Sequence, residues 1–249
     1  MAIDDAALRA LYDRNYFFGE EYTNYLDDLP MARRNFTARL RGLEPFLTPA
    51  HQRLIEVGCA YGIFLDLARS RFDHVSGIDI SDDAIAYARE RLGLEVQCAD
   101  LLQVDLGASR YDVACLWDTI EHLREPDRYL ARLSEHMADG AMLALTTGDI
   151  GSVNARFRRE RWRLIHPPTH LHYFTQRSMR RMLDRLGFDV VAMTHCGVSR
   201  SLGSIADGVL RLRWGFDRAA GMVRSLPLSS IPVYLNLYDV MYVVARKRV

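Results

Sequence analysis

Five acids and a group of histidines are the residues of this chain whose types and spacing could do chemistry. Glu56 stands two residues before Gly58, with Gly62 four further on, in "RLIEVGCAYGIFLDLA". Asp79 lies in "GIDIS" and Asp100 in "CADLL". Downstream, Asp118, Glu121 and His122 fall at i, i+3 and i+4 in "WDTIEHLREP". The stretch "HPPTHLHYFT" then carries His166, His170 and His172 within seven residues. The acids and glycines suit a nucleoside-type ligand, and the downstream acids and imidazoles suit proton transfer or metal binding at an oxygen.

A dinucleotide is the first ligand to weigh. Its fingerprint is G-x-G-x-x-G, whose glycines let a pyrophosphate approach a helix N-terminus. Here Tyr61 occupies a turn position where a pyrophosphate wants bare backbone, and Glu56 would repel it. A cationic, phosphate-free ligand reverses that judgement. S-adenosylmethionine carries a sulfonium, an ammonium, a ribose diol and an adenine. Glu56 suits its positive amino-acid end, Asp79 can accept both ribose hydroxyls, and Asp100 can accept from the adenine amino group while Leu101 offers backbone.

These acids need strand ends to hold them, and the pattern supplies strands. "LIEVGC", "HVSGIDI", "LEVQCAD", "YDVACLW" and "AMLALTT" read as strands alternating with helices. "GIFLDLARSR" and "SDDAIAYARERLG" read as helices, the second capped by Ser81 and stopped by Gly93. "PDRYLARLSEHMADG" reads as a helix opened by Pro126 and closed near Gly140. A further helix "TQRSMRRMLDRLG", the strand "FDVVAMTH" and a late strand in "LYDVMYVVARKR" follow. This alternation predicts a doubly wound parallel sheet, with ligands at the carboxyl ends of its strands. Outside it lie residues 1–49, with an aromatic run from Tyr12 to Tyr25 and an amphipathic helix around Met31 to Phe46. Residues 197–232 are helical in period and then loop-like around a proline. Either region could be a lid, a dimer surface, a substrate wall or ordinary packing.

The segments "LIEVGCAYGIFL", "VSGIDIS", "CADLL", "YDVACLWDTIEHLREPDRYL" and "DGAMLALTT" together resemble the successive motifs of class I S-adenosylmethionine-dependent methyltransferases. The resemblance covers roughly residues 50–195. It implies a Rossmann-like α/β fold with a seven-stranded, mostly parallel sheet and an antiparallel last strand. Residues 1–249 would form one methyltransferase domain: a helical N-terminal cap (1–49), a cofactor-binding core (50–196), and a helical insertion with the final strand (197–249). Carried over position by position, it implies cofactor contacts from Glu56, Gly58, Cys59, Ala60, Tyr61, Gly62, Asp79, Ile80, Asp100, Leu101 and Trp117. In Cys59-Ala60-Tyr61 the chain departs from the small residues and extra glycine that many members carry.

Methyl transfer to a hydroxyl requires removal of its proton, by a base or with help from a metal. On one helical turn, Asp118, Glu121 and His122 would share a face and could hold Mg2+ or another divalent cation. A similar acid-x-x-Glu-His pattern occurs in ubiquinone-biosynthesis and small-RNA 2′-O-methyltransferases; Asp118 stands where those carry Glu. The same motif occurs without metal, where His122 serves as base or braces the loop. In a strand-like stretch His170 and His172 would share a face, one of them as base or as a distant ligand. Trp162 with His170-Leu-His172-Tyr-Phe resembles bacterial methyltransferases of glycan and natural-product pathways. The expected reaction is O-methylation of a small sugar or natural-product metabolite. N- or carboxyl methylation is the alternative within the class, and an NAD-type oxidoreductase the rival outside it.

Composition bounds the partners. The chain has 249 residues, with 32 basic and 32 acidic side chains. Zero net charge gives no overall attraction to nucleic acid or an anionic membrane, so any such binding must come from a local patch. "ARFRRERWR" is one, with five arginines from Arg156 to Arg163; it could bind a phosphate or carboxylate, or be a solvated face. No run approaches the length of a membrane span, no secretory signal opens the chain, and four unpaired cysteines suit a reducing cytoplasm.

Overall fold

The computed structural model describes residues 28–108, 110–206 and 227–249. The aromatic run Tyr12–Tyr25 and most of the expected helical insertion lie outside the described residues.

A seven-stranded sheet organises the chain, in the order β3-β2-β1-β4-β5-β9-β6. Its strands are β1 (Arg53–Val57), β2 (His74–Asp79), β3 (Glu95–Cys98), β4 (Tyr111–Trp117), β5 (Met137–Gly148), β6 (Phe188–His195) and β9 (Val240–Lys247). The first five are parallel, and β9 runs antiparallel between β5 and β6. Strand order therefore reverses between β1 and β4, where open α/β sheets place their ligands. The antiparallel last strand is as the family resemblance implies.

Helices cover both faces. α1 (Leu29–Leu43) packs on α2 (Ile63–Ala68), and α3 (Asp82–Leu92), α4 (Pro126–Glu135), α5 (Val153–Arg158) and α6 (Gln176–Arg185) follow in chain order. Ser81 caps α3 by accepting from the Ala84 amide, and Gly93 ends it in the left-handed region at φ 64°, both as expected. Thr175 opens α6 with a reciprocal capping box to Ser178. The two faces of the sheet bury separate apolar clusters, one around Leu116, Leu143 and Phe188, the other around Leu54, Phe64 and Trp117.

Two elements differ from the sequence reading. The helix expected to run to Gly140 ends at Glu135, and β5 begins at Met137. Buried Leu130, Leu133, Met137 and Ala141 keep a helical spacing across that boundary, so periodicity could not mark it. An unexpected ribbon brackets the expected insertion: β7 (Val198–Ser201) pairs antiparallel with β8 (Pro232–Leu235). Each strand is too short to show a period, and what fixes β7 is remote. The Asn35 side chain of α1 accepts from the Ser199 amide at 2.6 Å and donates to its carbonyl at 3.1 Å.

Candidate active site

The turn after β1 is built by backbone geometry. Gly58 and Gly62 have φ of 76° and 73°, a region that disfavours side chains. A Cβ on Gly58 would come within 2.4 Å of Thr119 Oγ1, and one on Gly62 within 2.5 Å of Leu94. Close packing against the protein itself thus requires both glycines, whatever ligand lies beyond. The Gly58 and Cys59 amides donate to the Ile78 carbonyl, fastening the turn to β2. Tyr61 turns inward: it is 3 % exposed and meets Tyr87 edge-on, with ring centroids 5.4 Å apart. Cys59 is buried as well, and burial pushes its thiol up.

The three strand-end acids have different surroundings. Glu56 is buried and its Oε2 has no hydrogen-bond partner. Burial drives its pKa well above the ordinary carboxylate value, against the pull of Arg39. Asp79 accepts from the Ala60 amide at 2.8 Å and the Ser81 amide at 2.9 Å, yet burial still raises it. Asp100 accepts from the Leu102 amide at 2.8 Å and from the Tyr129 hydroxyl at 2.7 Å. Ile80 beside Asp79 is half-buried, and the Leu101 side chain is buried.

Trp117 ends β4, stacked on Tyr242, and its buried Nε1 has no partner. Glu56 pairs in register with Cys115, two residues before Trp117, so Glu56 and Trp117 lie on one face of the sheet. A lone acceptor and a lone donor there complement the ammonium and carboxylate of an amino acid. The residues present therefore fit the amino-acid end of S-adenosylmethionine.

The acceptor side begins at Asp118, which has φ 50°. Its carboxylate is paired with Arg39 and accepts from the Thr146 hydroxyl at 2.8 Å. Burial would raise it, but the Arg39 guanidinium and the Thr146 bond hold it below the usual range. Ile120–His122 then form a single 3-10 turn, not the α-helical turn expected. Asp118 consequently does not join Glu121 and His122. His170 does: carboxylate and ring atoms of Glu121, His122 and His170 lie within 4.8 Å of one another.

This trio is held by its second atoms. His122 Nδ1 donates to the Thr169 carbonyl and His170 Nδ1 to the Leu164 carbonyl, each at 2.9 Å. A carbonyl only accepts, so Nδ1 carries a proton in both rings, and in the neutral ring Nε2 is the atom that can ligate. The rings meet edge-on at 4.7 Å. Glu121 is buried with Oε2 unpartnered; burial and the Asp118 charge raise its pKa to about 7. An orphaned carboxylate oxygen and two oriented Nε2 atoms fit a divalent cation. His172 stands apart, because the expected strand is replaced by turns in which the Thr169 and His170 amides donate to the His166 carbonyl. Its Nε2 donates to the Arg124 carbonyl at 3.0 Å.

Two groups went unseen in the sequence. Arg39 reaches from α1 to Asp118 and lies over the Trp117 ring at 5.6 Å. At the carboxyl ends of β5 and β6, His195 Nε2 donates to buried Asp149 at 3.1 Å, and Gln176 donates to the same oxygen. With Nε2 on the carboxylate, Nδ1 is the ring nitrogen left to exchange a proton. A lone His at the end of "FDVVAMTH" gave no sign of it, since Asp149 lies 46 positions away.

Fold and site together define a class I S-adenosylmethionine-dependent methyltransferase. Comparison with known families agrees: residues 28–193 match the methyltransferase domain model, and the chain belongs to that family. The rival oxidoreductase reading is thereby set aside. The chain is similar to a ubiquinone biosynthesis O-methyltransferase of Coxiella burnetii, 25% identical over 114 residues, which are 44% of this chain and 49% of that protein. It is also similar to dTDP-4-amino-2,3,4,6-tetradeoxy-D-glucose N,N-dimethyltransferase of Saccharopolyspora spinosa, 27% identical over 101 residues, 39% of this chain and 41% of that one. The match thus spans about half the length, or less, of these curated relatives. Among solved structures, magnesium protoporphyrin IX methyltransferase of Synechocystis with bound SAH superposes with TM-score 0.61 at 14% identity, covering 98% of this chain and all of that one. A methyltransferase from Archaeoglobus fulgidus gives 0.59 at 18% identity, covering 94% and 97%. At such identities these structures support the fold alone.

Proposed function

We propose that this protein moves a methyl group from S-adenosylmethionine to a hydroxyl of a small molecule, a sugar or natural-product metabolite. The convergence of Glu121, His122 and His170 beside the cofactor strands carries this reading. Glu56, Trp117, Asp79 and Asp100 would hold the cofactor, as described above. Glu121, His122 and His170 would hold a divalent ion, which when bound binds the acceptor oxygen and lowers its pKa. His195 Nδ1 takes the hydroxyl proton, and Asp149 stabilises the imidazolium that results. An alcohol needs this help because it is a poor nucleophile at neutral pH.

A screen of sugar nucleotides and phenolic or glycosylated metabolites with labelled cofactor tests the reaction. Methylation of hydroxyls, slowed by chelator and by His170→Ala, is the expected result. Methyl transfer to amines alone, unaffected by chelator, would overturn the O-methyl reading. The similarity to the Saccharopolyspora sugar N,N-dimethyltransferase favours that second reading, N-methylation of an amino sugar. Titration calorimetry with S-adenosylhomocysteine tests the cofactor independently of any acceptor.

A further inference from the structure

The short helix α5 leaves β5 at the acceptor end of the sheet and turns its apolar residues outward. Val153 is 85% exposed and Phe157, one turn later, 88% exposed. Ser152 caps the helix and Ala155 is buried beneath it, so the helix is anchored on one side and presents the pair on the other. Around them Arg156, Arg158, Arg159 and Arg161 are all exposed, with Glu160 the one acid among them. Four positive groups against one negative leave three net charges on a chain whose total is zero.

A second exposed apolar stretch adjoins this helix. Leu237 and Tyr238 are 46% and 67% exposed and directly precede Asp239. The Asp239 carboxylate accepts from Asn154 at 2.7 Å, Trp162 at 2.9 Å and Arg163 at 2.8 Å. It thus ties residues 237–239 to both ends of the arginine segment. Of the five arginines, Arg163 is committed to this tie, whereas Arg156, Arg159 and Arg161 make no ion pair among the described residues and Arg158 bonds only Asn154.

We infer that this surface, Val153 and Phe157 with Leu237, Tyr238 and the surrounding arginines, docks the protein on an anionic lipid bilayer. The apolar side chains enter the headgroup boundary, and the guanidiniums meet lipid phosphates. Charge complementarity selects this occupant: an apolar tip ringed by exposed arginines matches a layered target, acyl chains beneath a sheet of negative charge. No described helix is long and apolar enough to cross a membrane, so the attachment is peripheral and reversible.

Sedimentation of the full chain with vesicles tests the inference without knowledge of the acceptor. Vesicles of phosphatidylcholine mixed with phosphatidylglycerol should pellet the protein, and pure phosphatidylcholine far less. High salt should weaken the binding. Replacing Arg156, Arg158 and Arg159 with Gln should cost about fivefold per arginine, roughly a hundredfold together. Phe157→Ser with Val153→Ser should weaken binding by about tenfold. All five side chains are exposed, so the variants should melt like the parent. Failure to pellet with the anionic vesicles would overturn the inference, as would binding that survives both variants. So would single-stranded RNA that competes for a surface needing the arginines but not Phe157.

Discussion

The cofactor pole and the acceptor pole of this molecule are built in opposite ways. At the cofactor pole each functional group sits in or just beyond its own strand, and its shaping contacts span shorter distances in sequence: Asp79 with Ser81 and, 19 positions back, Ala60, and Asp100 with Leu102 and, 29 positions on, Tyr129. At the acceptor pole the groups are gathered from afar. Arg39 meets Asp118 across 79 positions, Asp149 meets His195 across 46, and Trp162 meets Asp239 across 77. A pole made of strand ends needs only the sheet to form, whereas a gathered pole needs the packing that brings distant segments together. Buried charge differs accordingly. The cofactor pole leaves Glu56 Oε2 without a hydrogen-bond partner, and the acceptor pole gives Asp239 three donors but leaves Glu121 Oε2 without one.

The sharpest break of this contrast is Asp239→Ala. The carboxylate is buried and receives three donors, so its removal strands Arg163, Trp162 and Asn154. Thermal or denaturant melting should show a loss of about 3–5 kcal/mol. Burial opposes ionisation here, but the Trp162 and Arg163 bonds hold its pKa below 3.8. The stability it supplies is therefore complete above that value and is lost as pH falls through the lower folded one. An unchanged melting temperature in the variant would mean the acceptor pole does not depend on this tie.

Glu121 should behave with the opposite sign. Its pKa rises from 4.5 to about 7 in the folded protein. Between those values the folded state holds a proton that the unfolded state has released. Its contribution to stability is thus fullest below about pH 4.5 and is lost as pH rises to 7, on the order of 2–3 kcal/mol. Glu121→Gln should flatten that part of the pH profile. A divalent ion such as Mn2+ should raise the melting temperature above pH 7, and His170→Ala should abolish the rise while Asp118→Asn leaves it. A profile flat from pH 4.5 to 7 in the parent would show that Glu121 is not held in an apolar setting.

The same contrast explains what the sequence disclosed. Glu56, Gly58, Gly62, Asp79 and Asp100 were legible because strand ends and turn residues are local signals, and the late strand could be expected from its apolar run. The reason for the glycines was not legible, since Thr119 and Leu94, which they pack against, lie elsewhere in the chain. The motif Asp118, Glu121 and His122 predicted a shared helical face. The left-handed Asp118 and its pairing with Arg39 turned one member away, and a loop histidine took its place. His172 looked equivalent to His170 only so long as the segment was read as extended. Arg39 and the Asp149–His195 pair had no local pattern at all.

Within the cofactor pole, Glu56→Gln should leave the fold intact, because the buried carboxyl has an unpartnered oxygen and is already driven toward its neutral form. S-adenosylhomocysteine should nonetheless bind roughly 10–100-fold more weakly by calorimetry, the cost of losing a charged hydrogen bond to the ligand ammonium. Affinity within twofold of the parent would remove Glu56 from the cofactor site.

The finest test concerns Asp100, the strand-end acid that accepts from a side chain of another element. The Tyr129 hydroxyl, on α4, donates to its Oδ2 at 2.7 Å, while Oδ1 is held by the Leu102 amide. Tyr129→Phe removes one neutral donor from a partly exposed carboxylate and leaves the ring in place. Stability should fall by about 1 kcal/mol, the ordinary net value of such a bond. If Asp100 receives the adenine amino group, freeing Oδ2 loosens the carboxylate without deleting it. S-adenosylhomocysteine affinity should then drop about fivefold, far less than for Asp100→Ala. Equal losses in the two variants would show that Tyr129, not the aspartate alone, shapes the adenine end, and the cofactor pole would then be less local than its neighbouring contacts suggest.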